Sequence, residues 1–208
     1  DAPEKFEYNG KTYTSQSFAK ELGLNADDYV ILTSFTHHPY YKPFVLEVPD
    51  NWNWETAYNV PLADFSNIAE NAVMNGYTIA WAADVSEKGF NFNSGLAIVP
   101  EKEMEDMTPE ERKNLFMEPI KEKTITPELR QLAFDNFETQ DDHGMHIVGL
   151  VKDQNGNKYF RVKNSWGTNN PGNGYFYASA PYFAYKTTSI MVNKKAIPSN
   201  IAKKLGIK

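Results

Sequence analysis

One segment of the chain has apolar residues at the spacing of an amphipathic helix, and a strand-like run follows it directly. The helical segment covers residues 61–76, where Pro61 suits the first turn and Asn75-Gly76 suits the end. Its apolar positions, three or four residues apart, are Leu62, Phe65, Ile68, Ala69, Ala72 and Val73. Residues 77–85 are mostly apolar and end in Asp84-Val85, which predicts a strand.

A second pattern, near the C-terminal end, predicts a β-hairpin. Two apolar and β-branched runs lie on either side of Asn155-Gly156, a strong hairpin signal. The first strand has His143 near its start, and the returning strand has Asn164 near its end. With a plain two-residue turn, Asn164 would lie across from Ile147, about 13 Å from His143 along the strand. A direct contact between the two side chains would need a wider loop, a bulge such as one near Gly149, or a His143 that curls back.

Shorter signals predict the remaining elements. Asn9-Gly10 predicts a small hairpin, and a helix follows that Ser15 or Ser17 can cap and after whose end Gly23 suits the left-handed position. Thr108-Pro109 and Thr126-Pro127 each predict a helix start, with Thr as the cap and Pro in the first turn. Residues 36–60 are rich in Pro, Asn and aromatic rings, which predicts an irregular loop. Further strands are predicted at 29–33, 175–178 and 187–192, and a short helix at 200–208.

Composition limits the classes of protein that fit. The chain has 208 residues, of which 41% are hydrophobic and 14% aromatic, enough for a packed core. Its net charge of -6 argues against nucleic-acid binding, because a phosphate backbone needs clustered Lys and Arg. No apolar run approaches the ~20 residues of a membrane span. The absence of cysteine excludes a disulfide framework and leaves the redox compartment undecided.

Two motifs around the hairpin resemble those of a known family. Asp142-His143-Gly144 precedes a Val-Gly-containing strand, and Lys163-Asn164-Ser165-Trp166-Gly167 precedes Asn-Gly-Tyr-Phe. These motifs resemble the His and Asn motifs of papain-like cysteine peptidases, and the insertion before His143 resembles the bleomycin hydrolase and aminopeptidase C branch. The resemblance implies an α+β fold with an antiparallel β-barrel domain and helical insertions. It implies peptide substrates, no cofactor and no metal.

The resemblance also assigns roles to three residues. His143 matches the histidine that pairs with the cysteine thiolate and protonates the leaving amine, and Asn164 matches the residue that orients the imidazole. Trp166 matches the indole that shields the bond between them from water. The nucleophile has no candidate, since the chain contains no cysteine and no matching oxyanion glutamine motif. This chain alone is therefore expected to be inactive.

In the resembled family the cysteine lies on a helical domain that precedes the barrel domain. Three explanations fit its absence here: processing, a fragment, or a non-catalytic relative. The start at Asp1 without Met favours a piece of a larger enzyme, with a Cys-bearing half in the same gene product or in a second chain. We therefore expect an arm and aromatic loop at 1–60, and a barrel domain at 61–208 with a helical insertion at about 100–140.

Metal sites can be drawn on the sequence, but the spacing argues against them. His37 and His38 are adjacent and would point to opposite sides of an extended chain, and the same alternation separates His143 from His146. The carboxylates between 101 and 111 lack the pattern of a calcium loop and are interpreted as a solvated face. Asp84 could be an acid near the site, although an aspartate at a strand end more often caps a turn.

The competing class is a binding or assembly module that keeps a papain-like shell without the chemistry. The upstream reading frame of the source gene would separate the two classes. In the resembled branch the chain end reaches the cleft and restricts cleavage to N-terminal residues, and the tail here looks short for that. The branch forms ring-like hexamers, so a homo-oligomer is implied. A cytoplasmic location is implied as well, without excluding a secreted or periplasmic one.

Overall fold

The computed structural model describes residues 3–207, which form an α+β fold around one large sheet. The strands are β1 (Phe6–Tyr8), β2 (Lys11–Tyr13), β3 (Tyr29–Thr33), β4 (Lys42–Val45), β5 (Thr56–Asn59), β6 (Ile79–Ala83), β7 (Phe90–Asn91), β8 (Leu96–Ala97), β9 (His143–Lys152), β10 (Lys158–Lys163), β11 (Tyr175–Ser179) and β12 (Thr187–Asn193). The helices are α1 (Ser15–Glu21), α2 (Leu62–Met74), α3 (Pro109–Asn114), α4 (Pro127–Asp135), α5 (Ala180–Lys186) and α6 (Ser199–Leu205). None of these helices is long and apolar enough to cross a membrane.

Ten of the strands join in one sheet, in the order β4-β5-β3-β12-β6-β9-β10-β11-β8-β7. Most neighbours are antiparallel, while β3 with β5 and β11 with β8 are parallel. The α+β class predicted from the sequence is confirmed. A closed barrel is not, because the pairing of the described strands leaves β4 at one edge and β7 at the other.

The core lies between the sheet and the helices α2 and α5. Phe65 of α2 and Phe183 of α5 are fully buried, with ring centroids 5.5 Å apart, and the Phe183 ring lies 6.2 Å from the ring of Trp81 in β6. Burying one such phenylalanine stabilises a fold by roughly 1.5–3 kcal/mol. The predicted helix after Pro61 is confirmed, with its apolar face buried and Pro61 at the cap.

The segment 36–60 departs from the irregular loop that we predicted. It contains β4 and β5, and β5 pairs with both β3 and β4. Pro43 lies within β4, an edge strand, where a residue without an N–H is tolerated. The division at residue 60 remains a prediction, although β3 to β5 belong to the same sheet as the later strands.

The capping signals at Thr108 and Thr126 are confirmed, whereas α1 is capped by Thr14 rather than by Ser15 or Ser17. The Thr108 side chain accepts from Glu111 N–H, and the Glu111 carboxylate accepts from Thr108 N–H, which completes a capping box. The Thr126 side chain caps α4 with one bond, accepted from Leu129 N–H. The Asn9-Gly10 hairpin is also present, as the pair β1 and β2. Helix α5, capped by Ser179, was not predicted.

The hairpin of β9 and β10 differs from a plain two-residue turn in two ways. Lys158 pairs with Lys152, so the loop is five residues long, covering 153–157. Further along, Arg161 pairs with Gly149 and the next residue of β10 pairs with Ile147, which leaves an extra residue on β9 as a bulge. Each feature shifts the register by one residue. Together they bring the end of β10 two residues closer to the start of β9.

Candidate active site

His143 and Asn164 are joined by a direct hydrogen bond. The distance between His143 Nε2 and Asn164 Oδ1 is 2.8 Å. The same amide oxygen also accepts from Ser165 N–H at 2.8 Å. An amide oxygen only accepts, so Nε2 has the proton and donates it. Within residues 3–207, Nδ1 of His143 has no hydrogen-bond partner, and it is the nitrogen left to accept a proton.

The register of the hairpin produces this contact. Lys163, the last residue of β10, pairs with His146, so Asn164 follows at the level of Met145 and two residues from His143. Two residues correspond to about 6.6 Å along a strand, which the two side chains can bridge. The buried Asn164 leaves its Nδ2 without a partner among the described residues.

Trp166 lies against the imidazole. The ring centroids of Trp166 and His143 are 4.8 Å apart, with the planes inclined by 35°. The rings of Phe90 and Phe92 pack edge to face with the indole, with centroids 5.6 and 5.5 Å from that of Trp166, and hold it in place. These two phenylalanines are not among the site residues expected from the sequence, although Phe-Asn-Phe in a polar loop is an unusual signal. The indole therefore lies over one side of the imidazole.

Carboxylates surround the strand end next to His143. Asp84 is fully buried and accepts from Ser86 and Gln140, so it caps a turn as strand-end aspartates commonly do. Asp142 accepts from Val85 N–H at 3.0 Å. Desolvation raises the pKa of Asp142 and the nearby Asp84 raises it further, while the bond from Val85 and the charge of His143 favour the carboxylate.

The other histidines lie apart from this site. His146 is exposed and three residues along β9, so alternation places its side chain on the opposite face from His143. The expectation that His37 and His38 point to opposite sides of an extended chain is wrong. They lie in a turn, where alternation does not apply, and their ring centroids are 4.6 Å apart. His37 Nδ1 lies 3.1 Å from the Gln131 side-chain oxygen, and His38 stacks on Phe44.

Several carboxylates of the insertion contact lysines. Salt bridges join Glu101 to Lys121, Glu103 to Lys123, and Glu111 to Lys102. In the portion from residue 3 to residue 207, no three His, Asp or Glu side chains converge in a way that could hold a metal ion.

Comparison with solved structures supports the class of fold. The crystal structure of PepW from Lactobacillus rhamnosis HN001 matches with a TM-score of 0.70 at 22% identity, over 98% of this chain and 46% of that one. The family model described as Peptidase C1-like family matches residues 1–207. This chain belongs to the Peptidase C1-like family, and the resemblance drawn from the His and Asn motifs is confirmed.

Two curated relatives from lactobacilli have similar sequences. Aminopeptidase G of Lactobacillus delbrueckii subsp. lactis is 24% identical over 184 residues, which is 86% of this chain and 38% of that protein. Aminopeptidase E of Lactobacillus helveticus is 24% identical over 179 residues, which is 83% of this chain and 37% of that protein. The chain therefore spans less than half the length of the relatives it matches.

Proposed function

We propose that this chain is the His- and Asn-bearing part of a papain-like cysteine peptidase. The nucleophilic cysteine would come from outside these 208 residues, in an upstream segment or a second chain. The observation that supports the proposal most directly is the 2.8 Å bond from His143 Nε2 to Asn164 Oδ1 beneath Trp166, in a member of the Peptidase C1-like family. In this proposal the sheet corresponds to the barrel domain of papain-like enzymes, and residues 1–60 lead to the Cys-bearing half.

In the proposed reaction, Nδ1 of His143 is the nitrogen that accepts and returns the proton. His143 Nδ1 takes the thiol proton, and the thiolate attacks the peptide carbonyl carbon, forming a C–S bond and an oxyanion. When the oxyanion collapses, the C–N bond breaks and His143 gives its proton to the leaving amine. Water, deprotonated by His143, then attacks the thioester, breaks the C–S bond and releases the acid. Asn164 holds the imidazole in the tautomer that these steps need. No cofactor takes part.

Aminopeptidase action is the form of the activity that we propose. The names of the lactobacillus relatives support it, whereas the C-terminal helix of this chain gives no direct support. In α6, Ile201 and Leu205 are buried, and Lys204 contacts Tyr41 and Asp64, so the helix packs onto the α2 side of the core. From the family resemblance we also propose a cytoplasmic location and a homo-oligomer.

The test is to express this chain with its Cys-bearing half and assay aminoacyl and peptide substrates with and without a thiol-blocking reagent. We expect thiol-dependent hydrolysis, loss of activity in His143→Ala, and activity close to wild type in His146→Ala. His146 is a matched control because it lies on the same strand but on the opposite face. If the assembled protein with an intact cysteine hydrolyses none of these substrates, the peptidase proposal is wrong.

The absence of cysteine from these 208 residues favours one alternative, a non-catalytic binding or assembly module. The reading frame upstream of Asp1 in the source gene separates the two. A preceding segment with a cysteine in a helical domain supports the peptidase. If neither the upstream reading frame nor a co-expressed second chain supplies that cysteine, the binding or assembly module is supported.

A further inference from the structure

The backbone ladder between β6 and β9 ends at the residue pair Ala83 and His143. Beyond this pair, the N–H of Asp84 donates to Lys186 O at 3.0 Å and takes no part in that ladder. Two carboxylates connect the segments instead. Asp84 Oδ2 accepts from Gln140 N–H at 2.8 Å, and Asp142 Oδ1 accepts from Val85 N–H at 3.0 Å. Side chains thus replace the ladder at the point where the strand presents His143.

The Asp84 carboxylate has a second contact on its own side of the turn. Its Oδ1 accepts from Ser86 N–H and from the Ser86 hydroxyl, both at 2.7 Å. The side chain is fully buried, and among residues 3–207 no lysine, arginine or histidine forms a salt bridge with it. A buried carboxylate that accepts three hydrogen bonds from neutral donors is held rigidly, because each bond to a charged acceptor is stronger than a neutral one.

The segment that leads to His143 is bonded at three consecutive residues. Gln140 is bound through its backbone to Asp84, and Asp141 accepts from the Thr188 hydroxyl at 2.8 Å. Asp142 is bound to Val85. Of these three contacts, the one to Asp84 involves the completely buried carboxylate.

We infer that Asp84 is a positioning residue for the reaction of His143. Through Gln140 N–H it fixes the backbone from which β9 starts, and so the direction in which the imidazole meets Asn164 and the incoming thiol. The effect of Asp84 on reaction rate rests on the proposed function. The effect of Asp84 on the His143 ring concerns this chain alone. A displacement of about 1 Å at a reacting group can cost a factor of about 100 in rate.

The first measurement uses the 208-residue chain and two-bond ¹H–¹⁵N correlation spectra of the histidine rings, which report the tautomer of each imidazole. The variant Asp84→Asn keeps the shape but has one acceptor oxygen, so it cannot serve both Ser86 and Gln140. We expect a single Nε2–H tautomer for His143 in the wild type. In Asp84→Asn, the His143 signals should move toward those of the exposed His146. Ser86→Ala, the matched control, removes one bond to the same carboxylate and leaves the Gln140 bond, so its His143 signals should match the wild type.

A second variant removes the donor of the bond between Gln140 N–H and Asp84. Gln140→Pro removes the N–H donor and leaves Asp84 with Ser86, and it should change the His143 signals as Asp84→Asn does. Backbone amide spectra show whether each variant is folded. Unchanged His143 signals in a folded Asp84→Asn or Gln140→Pro would overturn the inference. If both variants unfold, Asp84 is a folding determinant and the positioning role is wrong.

The second measurement uses the assembled protein with its Cys-bearing half. We expect kcat to fall about 10- to 100-fold in Asp84→Asn with little change in KM, and to stay near wild type in Ser86→Ala. An equal fall in both variants would contradict a role through Gln140. If the wild-type assembly shows no activity while the ring signals change as expected, the proposed function fails and the positioning role of Asp84 in the His143 geometry stands.

Discussion

Replacing Arg130 should destabilise the fold strongly, because this side chain is buried among backbone carbonyls. Arg130 lies on α4 and is 1% exposed. Its guanidinium donates to Ser34 O at 2.6 Å and Ala184 O at 2.8 Å, and also to the carbonyls of Tyr185 and Thr187. Two of these carbonyls belong to the last turn of α5, where helix geometry leaves acceptors without partners. The cation also suits the negative end of that helix.

The magnitude follows from these contacts. Arg130→Met keeps much of the volume of the stem but leaves four carbonyls without their donor. Each buried unsatisfied group costs about 1–3 kcal/mol, so even the low end sums to about 4 kcal/mol. Removing the cation relieves its own desolvation, yet loss of one partner of a buried charged interaction typically costs about 3–5 kcal/mol overall. We expect a loss of about 3–5 kcal/mol in the free energy of unfolding, or about 10 °C in Tm for a chain of this size.

The assay is urea unfolding followed by far-UV circular dichroism and tryptophan fluorescence. Arg130→Lys keeps the charge but places three donors on one nitrogen that cannot span the four carbonyls, so we expect an intermediate loss. Leu132→Gln, on the exposed side of the same helix, should stay within about 0.5 kcal/mol of wild type. An Arg130→Met variant within about 1 kcal/mol of wild type would refute the reasoning.

Three further predictions concern other parts of the molecule. Burial raises the pKa of Glu122 above its ordinary 4.5, so its contribution to stability is present below pH 4.5 and lost as pH rises through the raised pKa. The free energy of unfolding of Glu122→Gln, relative to wild type, should therefore increase as pH rises through that pKa. Urea unfolding at pH 4–8 in which this difference does not increase would contradict the prediction. Trp166→Ala should lower kcat/KM of the assembled enzyme about tenfold by admitting water to the His143 bond, with Trp166→Phe less affected, and equal loss in both would exclude shielding. Phe137 follows α4 in the left-handed conformation, with φ 61°, and is 75% exposed. Because glycine adopts this conformation without strain, Phe137→Gly should raise the free energy of unfolding by about 1 kcal/mol and Phe137→Ala should not, in the same unfolding assay.

Local signals were enough for several elements because the interactions that form them span only a few residues. The helix after Pro61 follows from its apolar spacing, and the starts at Thr108 and Thr126 follow from side chains that bond three residues ahead. The Asn9-Gly10 hairpin needs only a turn that accepts positive φ, and both residues have it.

Elements that depend on distant partners were missed or misjudged. Residues 36–60 have the composition of a loop, yet β5 forms because β3 and β4 offer it hydrogen bonds on both sides. Helix α5 has few helix formers, but Tyr182 and Phe183 are fully buried in the core, and packing overrides propensity there. His37 and His38 meet edge to face because the chain turns between them.

The sequence by itself determined the family, the α+β class and the identity of the three residues at the candidate site, because these depend on short motifs and on residue type. Only the tertiary structure decided that His143 and Asn164 touch. Their contact requires a five-residue loop and a bulge in β9, and these depend on how β6, β9 and β10 pack together rather than on any local preference. The same holds for Asp84, whose bond to Gln140 joins residues 56 positions apart in the chain.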